Sequence, residues 1–177
     1  LDQTRHLAEL HMDLGELDEA EAALLKMQEV MPENPEIFRR LIELNKIRGT
    51  LDLAIDLIRK LAEIHKKAER IPEAIETLRQ VFEFDALNVD THKQIIELQK
   101  SINLVEETIQ TYLSLYEVYQ NTGNMEEGIN TLKESVHLKP EDLDLRRKLV
   151  EAYRKSGMEV EAVDELFNIC DIHAKSE

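Results

Sequence analysis

Cys170 and His173 stand one helical turn apart and could share a soft metal ion, but two ligands do not complete a tetrahedral site. Glu134 and His137 form a Glu-x-x-His step, which di-iron helix bundles use in pairs, and the chain carries a single one. A Gly-rich phosphate loop, a nucleophile elbow and a Cys-x-x-Cys pair are all missing. The residues therefore argue against an enzyme, a metal centre or a cofactor. Cys170 reads as a buried cysteine beside a chain end. His11 and His65, 54 residues apart, read as packing residues in equivalent places.

A more regular chemistry lies in the charges. The series acid, base, Glu, base runs through Glu36, Arg39, Glu43 and Lys46, then Asp90, Lys93, Glu97 and Lys100, then Asp144, Arg147, Glu151 and Arg154. It recurs as Asp56, Arg59, Glu63 and Lys66, and begins again at Asp2, Arg5 and Glu9 before breaking at Met12. Spacings of three and four put each series on one helix face, where neighbouring pairs contribute about 0.2–0.5 kcal/mol each. The row of glutamates at 9, 43, 63, 97, 117 and 151 would favour a ligand carrying Lys or Arg.

The elements that present these rows repeat. From Leu1, Ile55 and Ile109 the chain reads three similar stretches spaced by 54 residues, and a fourth opens at Val163. Such a period marks stacked supersecondary units: 1–54, 55–108, 109–162 and a partial 163–177, read as one array that is a piece of a longer protein. Apolar spacing is helical throughout. It predicts ten helices near residues 1–14, 18–31, 35–48, 51–68, 72–85, 89–101, 104–121, 125–138, 142–155 and 159–174. Gly15, Gly49, Gly123 and Gly157 fall just past helix ends, with Asn103 in an equivalent place, whereas Glu69 predicts a less sharp turn. Pro35 and Pro72 fit first turns. Loops this short make neighbouring helices antiparallel.

Composition sets limits on partners. A net charge of −15 repels phosphate backbones and anionic membrane surfaces, so nucleic acid is excluded as the expected partner. No apolar run approaches the roughly 20 residues of a membrane span. One cysteine fits a reducing compartment, and a cytoplasmic location is expected.

Leu7-Ala8, Gly15, Asp18-Glu19-Ala20, Leu24 and Pro32 carry a pattern that returns as Leu41, Gly49, Ala54 and Ile58, and as Leu115, Gly123, Gly128 and Leu132. In these residues the chain resembles the tetratricopeptide repeat (TPR) family along essentially its whole length. The resemblance implies an all-α, right-handed helical-repeat solenoid that binds a protein or peptide in a groove. It makes Arg39, Glu43, Lys46, Arg59, Glu63, Lys93, Glu97, Lys100, Arg147, Glu151 and Arg154 the groove candidates. Family members that hold chaperone C-termini use a two-carboxylate clamp. Arg5 could supply one cation, but Glu9 and Arg40 stand where Asn is needed, so that use is not expected. The alternatives are homotypic assembly through the array ends and, less favoured, RNA binding.

The chain also departs from the family. Its three-helix spacing makes the helices at 51–68 and 104–121 serve two repeats each. Leu51, Leu53, Ala54, Ile55, Leu57, Ile58, Leu61, Ala62 and Ile64 cover roughly 200° of the helix wheel, about twice what one-sided packing requires. The final helix spreads Val160, Ala162, Val163, Leu166, Phe167, Ile169, Cys170 and Ile172 over about 240°. It therefore expects a neighbour, and self-association through it is one way to supply one.

Overall fold

The computed structural model describes residues 2–176, the side chains of Asp2, Gln3, Arg5 and Ser176 excepted. Among them ten α-helices and one 3-10 turn follow in order, with no strand. Two compact units result, Leu1–Asn88 and Val89–Glu177. The first holds α1 (Asp2–Asp13), α2 (Leu17–Val30), α3 (Pro35–Arg48), α4 (Leu51–Lys67), α5 (Ile71–Arg79) and the 3-10 turn Gln80–Glu83. The second holds α6 (Val89–Ser101), α7 (Val105–Thr122), α8 (Met125–Leu138), α9 (Leu143–Lys155) and α10 (Glu159–Ser176). Within each unit the helices pack chiefly on their neighbours in sequence, as antiparallel hairpins with short turns.

Local chemistry fixes the helix ends. Asn34 accepts a hydrogen bond from the Glu36 amide (2.9 Å) ahead of Pro35 at the start of α3. At the equivalent place before α9, Asp142 accepts from the amides of Asp144 (3.0 Å) and Leu145 (3.1 Å). Between α4 and α5, Glu69 is left-handed (φ 58°), and its turn is as sharp as those at the glycines. The amide of Glu69 donates to Lys66 O (2.9 Å) and that of Arg70 to His65 O (2.9 Å), matching Gly15 onto Met12 and Glu16 onto His11. The softer turn expected there is therefore corrected. The six-residue ring that closes it needs one left-handed residue whatever its side chain. Asn103 is left-handed too (φ 61°), as expected.

A second correction concerns α5, expected as one α-helix to residue 85. It gives way at Gln80 to a 3-10 turn. The tighter winding turns Val81 into the cluster of Phe38, Ile42, Ile58 and Leu61, where Val81 is fully buried. Asp85 then caps the exit, accepting from the Leu87 amide (3.2 Å) and Asn88 Nδ2 (2.8 Å).

Helix α4 packs to similar extents on α3 and α5, whereas α2 leans far more on α1 than on α3. Ala54, Ile58, Leu61, Ala62 and His65 are buried and Ile55, Leu57 and Ile64 half-buried, so the wide apolar arc is used on both sides. Two of its members are not: Leu51 and Leu53 are exposed, although Ala54 beside them is fully buried. Helix α7 is held likewise between α6 and α8. Several polar groups at these junctions pair across the hairpin turns. Thr50 donates to Asn45 Oδ1 (2.6 Å), and Thr111 donates to Gln99 Oε1 (2.9 Å). Arg48 of α3 reaches Asp18 and Glu21 of α2, both at 2.7 Å, and the largely buried Arg146–Glu165 pair ties α9 to α10. No described helix is long and apolar enough to cross a membrane.

Candidate functional site

In the second unit, α6, α7 and α8 enclose an open cavity of about 390 Å³. Its floor is apolar and aromatic, made by Leu115, Tyr112 and Tyr119 of α7 with Ile96 of α6. One wall is Lys93, Glu97 and Lys100, three of the four members of the α6 charge row. The other wall is Glu127, Asn130, Thr131 and Glu134 of α8, spaced to share one helix face.

Lys100 is committed within this cavity. Its ammonium donates to the Tyr112 hydroxyl (3.0 Å), lies 3.4 Å from Glu134 and sits 5.5 Å from the Tyr112 ring centroid. The bond to Tyr112, against the opposing effect of burial and with help from Glu134, holds Lys100 above the usual lysine range. Among the described residues no ion pair engages Glu97 or Glu127. The walls carry three carboxylates against two ammonium groups, an excess of negative charge over an aromatic floor.

The first unit has a smaller cavity of about 350 Å³, with the opposite balance. Arg59, Lys60 and Lys67 outnumber Glu33 and Glu63 around Phe38 and Ile64, and Lys67 pairs with Glu33 (3.0 Å). Arg59 and Glu63 are the groove candidates here. Arg39, Glu43, Lys46, Arg147, Glu151 and Arg154 line neither cavity. Lys46 pairs with Glu83 (2.9 Å) and stands over the Phe84 ring, and Glu151 pairs with Lys155 (2.8 Å). The bonds to Lys155 draw Glu151 below the usual carboxylate range. Intrahelical pairs form at Glu36–Arg39 (3.2 Å), Glu63–Lys66 (3.2 Å) and Asp144–Arg147 (3.1 Å), so the charges also serve as self-pairing rows. Glu9 is met by Arg40 (3.0 Å), and the side chains of Asp2 and Arg5 lie outside the described residues.

The remaining candidates resolve simply. Glu134 turns toward Lys100, into the cavity. Cys170 is exposed, which corrects the buried reading: it lies on the side of α10 away from α9, beside Val163 and Phe167. His65 is buried, while His11 is half-buried and 2.6 Å from Glu16. The α8 wall escaped the sequence reading, although Glu127, Asn130 and Glu134 repeat at helical spacing opposite the α6 row.

Solved structures similar to this chain are TPR-like repeat proteins. The TPR-like repeats ascribed to a Podosopora anserina kinesin light chain are 19% identical, with 100% of this chain and 96% of that one covered and a TM-score of 0.48. A MamA structure is 18% identical over 98% and 92% of the two chains, with a TM-score of 0.36. A MamA segment from Desulfovibrio magneticus is 14% identical over 99% and 96%, also with a TM-score of 0.36. No protein-family model matches the chain, and no curated protein matches it.

Proposed function

We propose that the chain is a protein-binding scaffold whose cavity between α6, α7 and α8 holds a peptide segment bearing a Lys or Arg beside an apolar side chain. The observation that supports this is the juxtaposition of unpaired Glu97 and Glu127 with the Tyr112, Leu115 and Tyr119 floor. An apolar anchor on the tyrosines supplies contact area, and the carboxylates select the cation next to it. A tyrosine face also attracts a cation within about 6 Å of its centroid.

Selection of displayed random peptides on the full chain tests this reading. Enriched peptides are expected to pair a basic residue with a neighbouring apolar one. Their affinity should fall roughly tenfold, about 1.4 kcal/mol, in Glu97→Lys/Glu127→Lys with helicity unchanged. Enrichment without basic residues, or equal affinity for the double variant, would refute it.

A further inference from the structure

In the smaller cavity of the first unit, charge stands against an apolar surface with the sign reversed. Arg59, Lys60, Glu63 and Lys67 line it beside Ile64, at the spacing of one face of α4. Phe38 of α3 and Glu33 of the turn before it complete the wall. Two of these charges are already answered by each other: Lys67 pairs with Glu33 at 3.0 Å. Glu63 is held from outside, by Lys66 at 3.2 Å. Arg59 and Lys60 are left over. Among the described residues no ion pair engages Lys60. Arg59 has Asp56 as its ion partner at the long distance of 3.9 Å, and its Nε is buried with no hydrogen-bond partner. A guanidinium offers five donors in a fork that matches a carboxylate, so this one is short of acceptors.

The repeat shows that the fold does not need cations here. Arg59, Lys60 and Lys67 correspond to Arg5, His6 and Asp13 in the copy before, and to Leu113, Ser114 and Asn121 in the copy after. Of the three full copies, only this one has Lys or Arg at all three positions. In the third copy the place of Arg59 is taken by Leu113, packed against the core of the second unit.

We propose that this cavity binds a peptide segment of a partner protein carrying one Asp or Glu beside an apolar residue. The carboxylate lies on Arg59 and Lys60, and the apolar side chain against Ile64 and Phe38. The lining has one positive charge in excess, which a single carboxylate neutralises and a phosphate, with close to two negative charges, overshoots. The net charge of −15 repels a strongly acidic segment, so a lone acid among uncharged residues fits best. At contact the neighbouring cations prevail, because exposed charges beyond about 8 Å are screened. From Arg59 to Lys67 the helix rises about 12 Å, the length of about four extended residues. The cavity is open, so a chain can run through it, and the carboxylate is that of a side chain rather than of a chain end. This site lies in the other unit from the cavity on α6–α8 and stands whether or not that cavity binds peptide.

The probes are acetylated, amidated hexapeptides whose only charge is one Glu, followed in turn by Leu, Ile or Phe. Each is titrated into the isotope-labelled full chain and followed by NMR. The Ile64 methyl and Phe38 amide signals should shift, saturating in the millimolar range with at least one probe. Replacing the Glu of that probe by Gln should weaken binding roughly tenfold, about 1.4 kcal/mol. Arg59→Gln/Lys60→Gln should weaken the Glu probe as much, with circular dichroism unchanged, and added salt should weaken it too. The site is overturned if no probe moves Ile64, or if the signals that move are those of Leu115 and Tyr119. Equal affinity of the Gln probe, or of the double variant, overturns the role of the two cations. Tighter binding of a probe ending in a free carboxylate overturns the choice of a side chain, and tighter binding of a phosphoserine probe overturns the choice of a carboxylate.

Discussion

The hairpins α1–α2 and α4–α5 occupy the same place in successive repeats, yet the same residue types meet different fates in them. Leu7 and Leu61 are equivalent leucines, 47% and 2% exposed. His11 and His65 are equivalent histidines, one bonded to Glu16 at 2.6 Å, the other buried with its Nδ1 unpartnered and Arg70 nearby. Gly15 and Glu69 are both left-handed. The backbone of the turn is thus held constant, while burial is decided by what lies in front of the helix. Helix α4 has α3 there, and in α1 the Leu7 face is open.

The largest test of that difference is charge at the shared leucine position. Leu61→Asp places an unpaired carboxylate among Phe38, Ile42, Ile58 and Val81, and should cost about 3–5 kcal/mol. Leu7→Asp should stay within about 0.5 kcal/mol, as at an ordinary surface site. Arg59→Asp, on the polar side of α4, should also cost far less than Leu61→Asp. Urea melts of the three variants decide it. Similar midpoints would mean that α4 is not enclosed from both sides.

A smaller effect is expected at the left-handed position. A non-glycine residue in this region carries strain of order 1 kcal/mol or more, which glycine avoids at the cost of a more flexible unfolded chain. Glu69→Gly should therefore stabilise the chain by about 0.5–1 kcal/mol, and Gly15→Glu should destabilise it by a similar amount. A destabilised Glu69→Gly would show that the Glu69 side chain itself contributes to the turn.

These contrasts also show what a sequence makes legible. Helix order followed from apolar period and from stops such as Gly49 and Gly123, because those signals act within a few residues. The left-handed Glu69 did not, since the turn is imposed by the helices on either side of it. The 3-10 turn at Val81 was hidden for a related reason: residues 38–61 draw its side chain inward, and that pull is tertiary. At the candidate site, Lys93, Glu97 and Lys100 stood out through repetition. Their aromatic floor and the Glu127 wall belong to other helices and appear only when the hairpins close. Cys170 was misread because an apolar neighbourhood in sequence, Phe167 and Ile169, spans both an open and a covered side of one helix.

The smallest and most selective contrast is at the two histidines. Burial, then Arg70 and Arg39, depress the His65 pKa, with Glu73 opposing weakly. The folded chain therefore resists protonation that the unfolded chain accepts near pH 6.5, so stability is lost as pH falls below about 6.5. Arg70→Glu puts at this turn the residue type that His11 already has in Glu16, and places an acid at the start of α5, where the helix dipole favours it. The imidazole should then titrate at higher pH, and the loss of stability between pH 7 and pH 5 should shrink relative to the parent chain. His65→Gln should likewise remove that component. An NMR titration of His65 unchanged by Arg70→Glu would leave burial, with Arg39, as the cause. The two turns would then differ through packing alone, not through the exchange of Glu16 for Arg70.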